Sequence, residues 1–123
     1  SKLLVIDIKK YTINDSISLV RMIKNNNIPI CFLTTISCFA SISSALQIPN
    51  LCMQHMYDPC ISSVYYSNIY LIVNKKYNQI PADRTFICPQ YKIKDVENSN
   101  NLIYSYDFIL TAFQKFINLT SIS

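Results

Sequence analysis

The sequence predicts a single α/β domain, with a mostly parallel sheet of three to five strands flanked by helices. Three observations carry that expectation. Short apolar runs rich in β-branched residues occupy 3–8 (LLVIDI), 28–33 (IPICFL) and 69–73 (IYLIV). They are continuous rather than alternating, as in strands buried on both faces of a helix-covered parallel sheet. Segments of helical period lie between and after them. The chain has 123 residues, half of them hydrophobic and 15% charged. It is large enough to enclose one ordinary core and too apolar to stay disordered.

The first run, 3–8, reads as a buried strand. A helix over 14–26 follows it, capped by Asn14 or Asp15, with Ile13, Ile17, Val20 and Ile23 at helical spacing. Asn25, Asn26 and Asn27 are suited to end that helix. The chain has no glycine, and Asn is the next residue to accept the left-handed C-cap conformation. Strand, helix and the strand at 28–33 then form a βαβ unit.

A second helix is expected over 37–47, stopped by Pro49. Residues 50–66 favour neither state, and Pro59 interrupts them. The run at 69–73 reads as the third strand and 85–88 (TFIC) as a weaker fourth. Residues 74–84 and 89–101 are polar, carry Pro81 and Pro89, and read as loops. A short edge strand is conceivable from Lys92 to Val96.

The last helix, 102–119, has the clearest period. Ile103, Tyr106, Leu110, Phe113 and Ile117 recur at alternating steps of three and four. Leu102, Ile109 and Phe116 widen the stripe, and Phe108, Ala112 and Leu119 widen it again, to an arc of roughly 220°. A surface helix needs only a little over 100°. The excess points to a partner, met through Phe108, Ala112, Phe116 and Leu119.

Composition excludes several chemistries. Zero glycine removes the Walker loop, the GxGxxG turn and the GxSxG elbow, whose backbones need it. His55 is the one histidine, so any imidazole-activated nucleophile must use it, and no oxyanion site is recognisable around it. Asp7, inside the first expected strand, sits where metal-dependent nuclease-like enzymes hold Mg²⁺. The further carboxylates such a site requires do not close the neighbouring strands. A catalytically silent relative of such an enzyme, a pseudoenzyme, fits better, and Asp7 is otherwise read as a partner of Lys9 or a helix cap. Cys52, His55 and Cys60 resemble half of a zinc site and lack the second tight pair. No catalytic residue, metal, cofactor or small-molecule substrate is therefore expected.

Five cysteines at irregular spacing read as reduced core residues of an intracellular protein, cytoplasmic or nuclear. Residues 25–57 carry no Asp, Glu, Lys or Arg, yet they divide into one strand and one Ser-rich helix. No membrane span is expected. The start at Ser1 suggests a domain excised from a larger protein. The bias towards Ile, Asn, Lys and Tyr suggests an AT-rich genome, viral or eukaryotic.

The net charge of +4 permits a polyanionic partner. Lys9-Lys10-Tyr11 follows the first expected strand and Lys75-Lys76-Tyr77 the third. In a parallel sheet both clusters would emerge at the carboxyl edge, where open α/β sheets bind ligands. With Arg84 they would suit a nucleic-acid backbone and stacked bases. Residues 102–113 (LIYSYDFILTAF) resemble the last helix of BRCT repeats. The glycine turn and helix tryptophan of those repeats are absent, and no function is carried over. The favoured expectation is a non-catalytic adaptor or assembly module binding another protein or a second copy of itself; the alternative is nucleic-acid binding through the two clusters.

Overall fold

A computed structural model describes residues 4–35, 38–54, 67–96 and 99–122. Four strands, β1 (Phe32–Thr35), β2 (Asn50–Met53), β3 (Ile69–Val73) and β4 (Thr85–Ile87), form one sheet in the order β1-β2-β3-β4. Every pairing in it is parallel. A separate antiparallel ribbon joins β5 (Tyr91–Val96) to β6 (Ser99–Tyr104). The helices are α1 (Ile13–Asn25), α2 (Cys38–Ala45) and α3 (Tyr106–Thr120). The α/β class and the parallel sheet expected from the sequence are what the chain forms.

Alternation along the strands sorts the core into two layers. Leu51 of β2 and Ile72 of β3 face α3 and pack with Ala112, Phe116 and Ile117. Leu102 and Tyr104 of the ribbon and Cys88 belong to the same cluster. Tyr70 meets Phe116 edge-on, with ring centroids 5.2 Å apart. On the other face Cys52, Ile69, Leu71 and Val73 pack beneath Ala40 of α2, with Ile80. A third cluster joins Val20 of α1 to Phe32 and Ile48.

The cap of α1 is Thr12 rather than the expected Asn14 or Asp15, which lie inside the helix. The Thr12 hydroxyl accepts from the Asp15 N–H to cap α1, and Ser105 accepts from Phe108 N–H to cap α3. Without glycine, left-handed backbone falls on other residues. Asn27, Gln47 and Ser121 have φ of 59°, 55° and 57°, each just beyond a helix. Asn27 fills the role expected of the asparagine run after α1.

Several expectations are corrected. Residues 4–7 form no strand, and a 3₁₀ turn, Ile8–Lys10, follows them. Leu4 and Val5 are exposed. Hydrophobicity marks this stretch for burial, but no neighbour among the described residues covers it. Residues 102–104 belong to β6 rather than to the last helix, which starts at Tyr106. Residues expected to be loop carry the ribbon, including the conceivable strand from Lys92 to Val96. β2 emerges from the stretch that favoured neither state.

Candidate functional site

The carboxyl ends of β2 and β3 are the place where an open parallel sheet holds ligands. Gln54 follows β2, and its N–H donates to the Ile72 carbonyl at 2.9 Å. That bond keeps the Gln54 side chain inside, where it is buried. Its amide oxygen accepts from the Asn74 N–H at 3.0 Å and from the Tyr104 hydroxyl at 3.2 Å. Its amide nitrogen donates to the Tyr77 hydroxyl at 2.8 Å, and that hydroxyl donates to Asn74 Oδ1 at 2.8 Å. Amides and phenols thus satisfy one another across three parts of the chain. Burial is the main cause, followed by the neighbouring Tyr77, Cys88 and Tyr91, that pushes the Tyr104 phenol above the usual tyrosine range.

A second polar group lies under α2. Thr34 Oγ1 donates to Asn50 Oδ1 at 3.1 Å, Asn50 Nδ2 donates to Ser43 Oγ at 3.1 Å, and Ser43 Oγ donates to the Ala40 carbonyl at 2.9 Å. Thr34 also lies 3.5 Å from Cys52 Sγ. Burial pushes the Cys52 thiol up to about 11, against the lowering effect of the Thr34 bond. Burial likewise raises Cys31. Buried thiols of this kind are unreactive packing groups.

The carboxylate expected in the first strand is on the surface. Asp7 is exposed, and its Oδ1 accepts from the Lys9 N–H at 3.0 Å, capping the 3₁₀ turn. This is a local structural role, as the helix-cap reading anticipated. Cys52 is buried, while His55 and Cys60 lie outside the described residues. Among the described residues no three His, Cys, Asp or Glu side chains lie close enough together to hold a metal ion.

The two lysine–tyrosine clusters have different settings. Lys75 and Lys76 follow the carboxyl end of β3 and are exposed, as expected. The Lys75 ammonium lies 5.4 Å from the centre of the Tyr77 ring, and the Tyr77 hydroxyl belongs to the buried network. Lys9, Lys10 and Tyr11 are exposed but follow no strand, because residues 4–7 make none. Their neighbour Ile8 packs against the Val20, Phe32 and Ile48 cluster on the β1 side of the sheet. Arg84 donates to the Ile69 carbonyl at 3.1 Å, at the amino end of β3. That is roughly 13 Å along the strand from the end that Lys75 follows. The premise that one sheet edge gathers all seven residues is therefore corrected.

The four partner-contact residues named on the last helix also separate. Ala112 and Phe116 are core residues, because the sheet and the ribbon together cover more of α3 than a single sheet face would. Phe108 is half-buried against the same cluster. Leu119 is 58% exposed. It lies eleven positions from Phe108, about three helical turns along the same line. On the opposite flank Tyr106, 72% exposed, and Leu110 are uncovered. The surplus apolar surface therefore lies on two flanks, with the expected centre buried between them. An open groove of about 400 Å³ adjoins the start of α3, lined by Gln90, Tyr91, Lys92, Ile103, Tyr104 and Ser105.

The network of Gln54, Asn74 and Tyr104 was missed in the sequence. Its one signal was the uncharged stretch 25–57, in which Asn50 and Gln54 bracket a short apolar run. Among the described residues no helix is long and apolar enough to cross a membrane. No protein-family model matches the chain, and no curated protein and no solved structure matches it. The class defined here is therefore the fold alone: a small open α/β domain with a four-stranded parallel sheet.

Proposed function

We propose that this chain is a non-catalytic protein–protein interaction module whose contact surface lies on the flanks of α3. The observation that carries the reading is the exposure of Leu119, Leu110 and Tyr106 on a helix whose inner face is already buried. Large apolar side chains left in water on a well-packed element mark a surface suited to a partner. The occupant is a partner protein with a complementary apolar surface. Leu119 and the rim of Phe108 form one contact line, and Tyr106 and Leu110 the other. Ala112 and Phe116 support the helix from within.

The carboxyl edge of the sheet supports the same reading. Where enzymes of open α/β architecture converge charged groups, the buried side chains described at this edge are neutral amides and phenols already bonded to one another, with Lys75 and Lys76 exposed outside them. Such a network rigidifies a domain.

The test is a pair of substitutions, Leu110→Asp and Leu119→Asp, each at an exposed position. In an extract of its source cells the wild-type chain is expected to elute in a complex larger than a pair of 14.2 kDa copies. Each variant is expected to melt within a few degrees of wild type and to elute no larger than such a pair. A wild-type chain that elutes no larger than a pair of copies defeats the reading, as does a larger complex that survives both substitutions.

A further inference from the structure

We propose that two copies of this chain associate at the open edge of β1, with residues 4–7 of each copy adding as a strand to the sheet of the other. Both halves of that contact are on the surface. Leu4 and Val5 are 87% and 86% exposed, and Ile6 is exposed beside them. Their composition is that of a buried strand, yet residues 4–7 pair with nothing among the described residues.

The other half is the outer edge of β1. The Phe32 N–H donates to the Pro49 carbonyl at 2.9 Å, on the β2 side. Alternation then turns the N–H and C=O of Leu33 and Thr35 away from β2. No strand lies on that side among the described residues. The Leu33 side chain, on the face that α3 covers further along the sheet, is 47% exposed. An open edge of this kind is a template for another strand.

The two halves are also neighbours. Ile8, directly after the unpaired stretch, packs against the cluster that contains Phe32, the first residue of β1. The apolar run thus lies beside the edge it is suited to fill, while pairing with no strand among the described residues of its own chain. A second copy supplies a strand for each edge and an edge for each strand. The contact is reciprocal and closes on two copies. It uses a surface separate from the flanks of α3 and does not depend on the function proposed for them.

The test measures the mass of the full 123-residue chain by sedimentation across about a hundredfold range of concentration, with hydrogen exchange on the same samples. The mass is expected to rise from 14.2 kDa towards twice that value, and amide protection of residues 4–7 to rise in step. Val5→Lys and Leu33→Lys are each expected to move the midpoint at least about tenfold higher in concentration. Val5 is so exposed that its substitution leaves the monomer folded, which keeps the test decisive if Leu33→Lys unfolds. A single mass at every concentration overturns the proposal, as does a dimer indifferent to Val5→Lys. A dimer lost with Leu119→Asp but kept with Val5→Lys assigns the association to α3 instead. Protection of residues 4–7 in a monomer places the strand in its own chain and overturns the proposal too.

Discussion

Tyr104 and Gln54, fifty positions apart, meet at 3.2 Å in the interior, the Tyr104 hydroxyl donating to the Gln54 amide oxygen. That bond ties the antiparallel ribbon to the carboxyl end of β2. The same oxygen accepts from Asn74 N–H after β3, so one amide fastens three elements whose order in the chain gives no hint of their meeting.

Tyr104→Phe is expected to cost about 1 kcal/mol at neutral pH, the ordinary worth of a hydrogen bond. It is also expected to change the alkaline behaviour. Burial raises the Tyr104 pKa in the folded state, so the folded chain holds this proton more tightly than the unfolded chain. The associated stability is fully present below the ordinary tyrosine value of about 10 and is lost as pH rises above it. Urea titrations from neutral pH to about pH 11 are expected to show a smaller alkaline loss in Tyr104→Phe than in wild type. An equal loss in both defeats this account.

Asn50→Asp is expected to cost about 3 kcal/mol at neutral pH, because a carboxylate replaces a buried amide that donates to Ser43 Oγ. Protonation relieves part of that cost, so the deficit relative to wild type is expected to shrink as pH falls towards the usual carboxylate range. Chemical denaturation at neutral and mildly acid pH measures both. A deficit independent of pH contradicts the burial argument.

Cys38 is exposed, whereas the Cys52 thiol is buried and held at a raised pKa of about 11. Iodoacetamide at mildly alkaline pH is expected to label Cys38 in the native chain and Cys52 only after unfolding. Peptide mass spectrometry reads the two sites separately. Native labelling of Cys52 at the rate of Cys38 contradicts the packing described.

Gln47→Gly is expected to stabilise the chain by about 0.5–1 kcal/mol. Gln47 has φ of 55° after α2, a left-handed conformation costing roughly 1–2 kcal/mol for a residue with a Cβ. The added freedom of glycine in the unfolded chain offsets about half of the gain. Asn27→Gly is expected to gain less, since Asn tolerates this region better. Melting curves compare them, and an unchanged or lower midpoint for Gln47→Gly contradicts the prediction.

Local pattern was sufficient where an element's own side chains decide its state. The 3.6-residue period located α1 and α3, the asparagine run marked the end of α1, and the continuous run at 69–73 became the central strand β3. Tertiary structure decided what depends on a distant neighbour. β2 is short, opening on Asn50 and followed by Gln54, whose polar groups bond to Thr34, Ser43, Asn74, Tyr77 and Tyr104 elsewhere in the chain. The run at 3–8 is apolar but for Asp7, much like β3, yet residues 4–7 pair with no strand among the described residues. On α3 the width of the apolar arc was legible, but which flanks of it stay wet depended on where the sheet and the ribbon lie. Hydrophobicity states that a side chain favours burial; it does not name the surface that buries it, because the hydrophobic effect has no direction.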